Sequence, residues 1–300
     1  FGWQAVFFIN VPVAGIVIIL GPRWVPESVS DSIPDKVDLI SVPLASLGVG
    51  IAILAITQGD KWGWSSLNLI LSFAIALLLV TAFVIRSNRH KAPLFDLNLF
   101  KLKTFSVGMI GTVFFMVAFF SWLISLPTFI QSVWGWSVLK TGFAIAPAPL
   151  LTAFVSPPAG RLAERIGNGP ILTIGGLLGA TGLSLHLIFT NSEPDYVMGI
   201  FIPGILIGFA AGFGFAQLIG AAMRDVPRDQ FGMAGAGRTT IFQLALALGV
   251  ALAFTIIGRP SSPQAALDGL QTTWILGIGC YLAQTLLFAF FGGSDKTLKT

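Results

Sequence analysis

Charge is what this sequence has least of. Asp, Glu, Lys and Arg supply 10% of its 300 residues, against roughly 25% in a soluble domain. So few charges cannot cover the surface of a water-soluble protein of this length, which leaves the bilayer as the solvent. Cysteine is nearly absent too: Cys280 alone excludes an intrachain disulfide and any multi-cysteine metal site. With only His90 and His186, a histidine-rich metal cluster is excluded as well. No glycine-rich nucleotide loop, no metal-ligand spacing and no nucleophile beside a base is present, so no catalytic residue, cofactor or metal is expected. The net charge of +4 and isoelectric point near 9.5 would suit nucleic acid, but the basic residues sit in short connections between apolar runs. That placement orients membrane proteins and argues against a nucleic-acid partner. The chain opens on Phe1, with neither a basic leader nor a small-residue cleavage site, and runs straight into apolar sequence. The expectation is a fragment that starts just before a membrane helix.

What is abundant is hydrophobic sequence, 55% of the chain, with a mean hydropathy of +0.86. Apolar runs near the spanning length of about 20 residues recur throughout. They cover 5–20, 39–57, 67–85, 105–126, 141–157, 171–190, 196–223, 231–258 and 272–293. The runs are continuous rather than alternating, so helices are predicted and not barrel strands. This is an all-α polytopic membrane protein of about nine spans. Pro147 and Pro149 break the fifth. One set of alternate connections holds Arg86, Arg89, Lys101, Lys103, Arg161, Arg165, Arg224 and Arg228, while the opposite set holds only Lys61, Lys140 and Arg259. The positive-inside rule therefore puts the C-terminus in the cytoplasm. The connection 86–104 mixes apolar and polar residues, and reads either as a segment lying on the membrane or as a solvated linker. Trp62 and Trp64, then Trp134 and Trp136, are expected as interfacial anchors on the outer side.

Within the spans, Gly204, Gly208, Gly212, Ala216 and Gly220 recur every four residues, a nearly side-chain-free stripe that lets a second helix approach. Gly175 and Gly179 form a smaller one. The stripes serve static packing or sliding of helices. Arg238 lies about two turns into its span and is costly there unless paired or wet. It either faces a central cavity or snorkels back to the headgroups. Asp38 is expected to cap the second span. His186 is placed at the outer interface. Gln217, Gln243 and Gln284 either line a cavity or bond between helices, and part of the aromatic cluster around Phe115, Phe119 and Trp122 faces lipid while part could line a pocket.

Phe7-Phe8-Ile9-Asn10-Val11-Pro12, followed by Pro26-Glu27-Ser28, resembles the sixth helix and next loop of the fourteen-helix drug:proton antiporters of the major facilitator superfamily. The likeness continues through Asp38, Gln58-Gly59-Asp60-Lys61-Trp62-Gly63-Trp64 and Pro93-Leu94-Phe95-Asp96-Leu97, in order along the chain. Gly160-Arg161-Leu162-Ala163-Glu164-Arg165-Ile166-Gly167 is similar to the superfamily's cytoplasmic loop motif. The resemblance implies a tight turn at the glycines and a charge latch made by Arg161, Glu164 and Arg165. Glu164 stands where Asp is usual, and Asn168-Gly169 replaces trailing basic residues. In the eighth span Arg238 sits four residues early, with Phe242 in the usual place of the arginine, so Arg238 is expected to supply the relocated charge.

The resemblance divides the chain into the last helix of an N-terminal half (1–20), a cytoplasmic loop (21–36), an inserted helix pair (37–86) and a linker (87–104). A C-terminal six-helix half (105–293) and a tail (294–300) complete it, and the first five helices are missing. It implies export of hydrophobic drugs or metabolites in exchange for protons across a bacterial inner membrane. The partners are the lipid, the substrate, protons and the missing N-terminal helices. An inactive remnant, or a split half that needs a partner chain, is the alternative.

Overall fold

The computed structural model describes residues 8, 10–24, 38, 40–90, 96–258 and 262–292. The start of the first predicted span, most of the 21–36 loop, residues 93–95 and the 294–300 tail lie outside the described residues. The chain divides into two units, Phe1–Lys36 and Val37–Thr300. The first unit contains helix α1, Asn10–Trp24. Its apolar stretch, Asn10–Gly21, is shorter than the other spans.

Every regular element among the described residues of the second unit is a helix, because in hydrocarbon each backbone amide needs a partner within its own segment. Its helices are α2 (Ser41–Trp62), α3 (Leu67–Arg89), α4 (Lys103–Ser132), α5 (Val138–Ile145) and α6 (Pro147–Ile166). They continue with α7 (Asn168–Phe189), α8 (Ile202–Met223), α9 (Phe231–Ile257) and α10 (Pro263–Phe291). Among the described residues, eight segments are long and apolar enough to cross a membrane, with α5 and α6 together making one of them. The α5–α6 break falls at the predicted proline pair, since Pro147 and Pro149 have no amide to offer the carbonyls of Phe143 and Ile145. The final helix begins earlier than its apolar run, because Ser262 caps it through the Ala265 amide.

Helices α2 and α3 form a hairpin whose ends are tied together. Asp38, almost fully buried, accepts the Ser41 hydroxyl at 2.6 Å and the Arg86 Nε at 2.8 Å. The expected capping role is thus corrected: the carboxylate binds two side chains, and the helix starts after Ile40 without a side-chain cap. Burial pushes the Asp38 carboxyl up, but the Ser41 and Arg86 bonds and the Arg86 charge outweigh it and hold the group below the ordinary carboxylate range. The hairpin touches the remaining helices through Thr255 on α9, whose hydroxyl donates to the Ile56 carbonyl at 3.1 Å.

The linker is docked rather than solvated. Leu97–Lys101 forms a 3-10 turn, and Leu99 is buried with Phe105, Met109, Ala222, Val226 and Ala234. In the bundle proper, α7 packs on α8 and α10, α4 packs on α9 and α10, and α6 packs on α8. Gly204, Gly208 and Gly212 of the α8 stripe face α6, where an added Cβ at Gly208 would lie 2.7 Å from the Ala148 carbonyl oxygen. Ala216 and Gly220 are exposed, and Gly220 stands beside the Asn168 side chain. The Trp pairs differ: Trp62 and Trp64 are exposed, whereas Trp134 is buried and donates its indole N–H to the Asn191 carbonyl. Trp134 is therefore part of the core and not a surface anchor. Large apolar side chains such as Leu77, Phe154 and Phe290 lie on the outside, as lipid requires.

Candidate functional site

The proline break that splits α5 from α6 also opens a cleft. It lies between α4, the α5–α6 junction and α8, and encloses about 600 Å³ including its open mouth. Its floor and walls are Phe119, Trp122, Leu123, Leu126 and Pro127 from α4, Ile145, Ala148, Pro149 and Thr152 from α5–α6, and Ile207, Gly208 and Phe215 from α8. The enclosed part of the cleft is about 170 Å³, smaller than the roughly 300–1,000 Å³ of ordinary small-molecule pockets. Phe119 and Phe215 meet edge to face at 5.2 Å, and Phe119 lies 5.7 Å from Trp122. Thr152 is the one polar side chain on the wall among the described residues, and its hydroxyl is within bonding distance of the Ala148 and Gly208 carbonyls, at 3.0 Å each. The wall therefore offers aromatic and aliphatic surface and no free hydrogen-bond donor.

Of the aromatic residues singled out in the sequence, Phe119 and Trp122 border this cleft. Phe115 stands behind them, fully buried, with its ring edge against Phe215 at 5.1 Å and against Gly214. The glutamines part company. Gln217 is buried next to Gly160, and its Nε2 has no hydrogen-bond partner among the described residues. Gln243 is exposed on α9. Gln284 is buried and donates to the Leu172 carbonyl at 3.2 Å, a bond between helices. Arg238 is half-exposed on α9 and forms no ion pair among the described residues, while Phe242, one turn on, faces Phe215 at 6.5 Å.

The loop-motif residues occupy the end of α6. Gly160 lies inside the helix, so the tight turn expected there is made by Gly167 alone, at φ +87°. Arg161, Glu164 and Arg165 are exposed and form no ion pair among the described residues.

His186 corrects a further expectation. It lies in the last turn of α7 but is fully buried among protein side chains and not exposed there. Trp122 donates its indole N–H to His186 Nε2 at 3.1 Å, and His186 Nδ1 lies 2.7 Å from the Gly199 carbonyl. Its ring stacks on Trp274 at 5.4 Å, and the Trp274 indole donates to Ser125. Nothing in the linear pattern pairs residue 186 with 122, because the pairing depends on how α7 is turned against α4.

A bundle of helices long and apolar enough to cross a membrane, with an apolar cleft at a proline break, defines a polytopic membrane protein. The chain belongs to the Major Facilitator Superfamily, whose family description matches residues 1–250. Among similar proteins is the Probable multidrug resistance protein EmrY of Escherichia coli K12, 25% identical over 87% of this chain and 51% of the relative. Multidrug resistance protein Stp of Mycobacterium tuberculosis is 29% identical over 86% of this chain and 46% of its own length. Lincomycin resistance protein LmrB of Listeria monocytogenes is 25% identical over 92% and 61% respectively. The chain spans about half the length of the first of these relatives.

Proposed function

We propose that this chain is the substrate-holding and inserted-pair portion of a proton-driven exporter of hydrophobic compounds, working with the helices that complete a molecule of its relatives' length. The observation that carries the reading is the cleft. An apolar, aromatic wall without a free donor retains molecules by removing their hydrophobic surface from water, and not by recognising one functional group. The names of the relatives, which speak of multidrug and lincomycin resistance, support that substrate class. Basic residues at one end of the helices support a cytoplasmic C-terminus in a bacterial inner membrane. Alternating access needs two halves rocking about a central site, so helices 105–293 are read as one of those halves. The loop motif Gly160, Arg161, Glu164, Arg165 and Gly167 is read as a latch whose charge partners lie on the other half.

The test is ethidium transport into everted vesicles carrying the full-length transporter. Transport is expected to follow the proton gradient and stop when a protonophore collapses it. Phe119→Ala or Trp122→Ala is expected to raise KM about tenfold, since each removes much of a buried aromatic contact. Transport sustained by ATP without the gradient would overturn proton coupling, and an unchanged KM in both variants would overturn the cleft.

A further inference from the structure

We infer that His186, with no surface in the cleft, is a positioning residue for it: a neutral acceptor that fixes the indole of Trp122 as the cleft wall. The inference rests on the cleft being the substrate site.

The chemistry follows from the hydrogen-bond directions. An indole N–H can only donate, so His186 Nε2 must accept at their 3.1 Å contact. A carbonyl can only accept, so His186 Nδ1 must carry the proton that meets the Gly199 oxygen at 2.7 Å. The imidazole is thus the neutral Nδ1–H tautomer, held by both nitrogens. The second bond is anchored in turn: Gly199 lies in the π-helical turn Val197–Phe201, and its carbonyl also accepts the Thr190 hydroxyl at 3.3 Å.

The ring cannot rotate away to release the indole, because Trp274 of α10 stacks on it at 5.4 Å and is itself pinned by its bond to Ser125 at 3.0 Å. Ser125 closes the circuit by donating to the Trp122 carbonyl at 3.2 Å. Trp122 is consequently held at both ends, through its indole by His186 and through its backbone carbonyl by Ser125. Its ring fills one side of the cleft between Phe119 and Leu126.

Charging His186 would turn its acceptor nitrogen into a second donor aimed at the indole N–H. No acid bonds to the ring among the described residues. The groups facing the ring are Trp122 of α4, the Gly199 carbonyl and Trp274, none of which titrates. On the elements packed around it, the titratable side chains are Lys103 on α4, Glu193, Asp195 and Tyr196 before the π turn, and Asp268, Cys280 and Tyr281 on α10, none of which bonds to the imidazole among the described residues. The histidine therefore works as a fixed strut and does not carry the transported proton.

The experiment uses the full-length transporter, purified, with ethidium as the probe and equilibrium dialysis as the readout. Two replacements separate the two nitrogens. His186→Asn keeps a donor near Gly199 and is too short to reach Trp122, whereas His186→Gln reaches the Nε2 position with an acceptor oxygen. Ethidium Kd is expected to rise about tenfold in His186→Asn, the weight of one buried hydrogen bond on the indole's rotamer equilibrium. It is expected to stay within about twofold of wild type in His186→Gln. In a Trp122→Phe background, which keeps a ring and removes the N–H, His186→Asn is expected to add nothing further. Proton-linked ethidium uptake is expected to persist in His186→Gln. Equal effects of His186→Asn with and without Trp122→Phe would overturn the positioning role, as would loss of proton linkage in His186→Gln. If His186→Asn does not accumulate, His186→Phe, which preserves the stack on Trp274 and supplies no acceptor, takes its place with the same expected loss. A Kd unmoved by Phe119→Ala would instead sink the cleft reading beneath the inference.

Discussion

Adjacent members of one glycine stripe should respond in opposite ways to a single added methyl group. At Gly204 an added Cβ would sit 3.9 Å from the Ala148 Cβ, an ordinary contact. At Gly208, one turn further, it would sit 2.7 Å from the Ala148 carbonyl oxygen and 3.3 Å from the Ala148 Cα. A backbone atom cannot yield by changing rotamer, so α6 and α8 must separate by about 1 Å to restore contact distance. That separation stretches the Thr152 bond to the Gly208 carbonyl, 3.0 Å in the intact protein. Overpacking of this kind costs about 1–3 kcal/mol, and the weakened hydrogen bond about 1 kcal/mol more. Against this, alanine gains about 1 kcal/mol over glycine in helix propensity at either position. Gly204→Ala should therefore be neutral or slightly stabilising. Gly208→Ala should be destabilising by about 1–3 kcal/mol net. The assay is the thermal unfolding midpoint of the purified full-length protein, read for both variants side by side. Equal midpoints, or a lower one for Gly204→Ala, would refute the close approach of α6 and α8 on which the cleft geometry depends.

Other outcomes follow from charge. Arg238→Ala is expected to abolish ethidium export while leaving the amount of protein in the membrane unchanged; retained export would overturn the reading of Arg238 as the charge that the family resemblance implies one turn later. Arg86→Ala removes one of the two partners, with Ser41, that hold the Asp38 carboxyl below the ordinary range, and should loosen the α2–α3 hairpin, read as faster proteolysis between the two helices. Because the folded-state pKa of Asp38 is lowered, its contribution is present above the unfolded value of about 3.9 and is lost as pH falls through the folded value. Proteolysis of the wild-type hairpin should therefore be flat through neutral pH and accelerate only in strong acid, whereas Asp38→Asn should be loose throughout.

The sequence showed its helices because each had to be continuously apolar, and the α5–α6 break because proline lacks an amide. The ends were less visible. Helix α10 begins in polar sequence at Pro263, set by the Ser262 cap and not by hydropathy. Asp38 looked like a cap because caps are local, but its carboxylate meets Arg86 across 48 residues. His186 and Trp134 looked interfacial because both lie near span ends. Their burial depends on Trp122, Gly199 and Asn191, which come from other elements. Phe119 and Trp122 were visible as part of an aromatic cluster, but Phe115 was indistinguishable from them. A helix places Phe115 and Phe119 on one face, and only the neighbouring Gly214 shows which ring is covered.

Thr152 lies on the cleft wall with its hydroxyl already committed between two backbone carbonyls. A pocket rejects a wrong molecule strongly only when that molecule leaves one of the pocket's own polar groups stranded. Here the one hydroxyl proton is already taken. Homologues that differ by a methylene can then be told apart by only about 1–3 kcal/mol, through fit alone. A ligand in this cleft would thus be held by fit alone, and because Thr152 also bonds Ala148 within its own helix, its hydroxyl would stay engaged even if α6 moved away from α8.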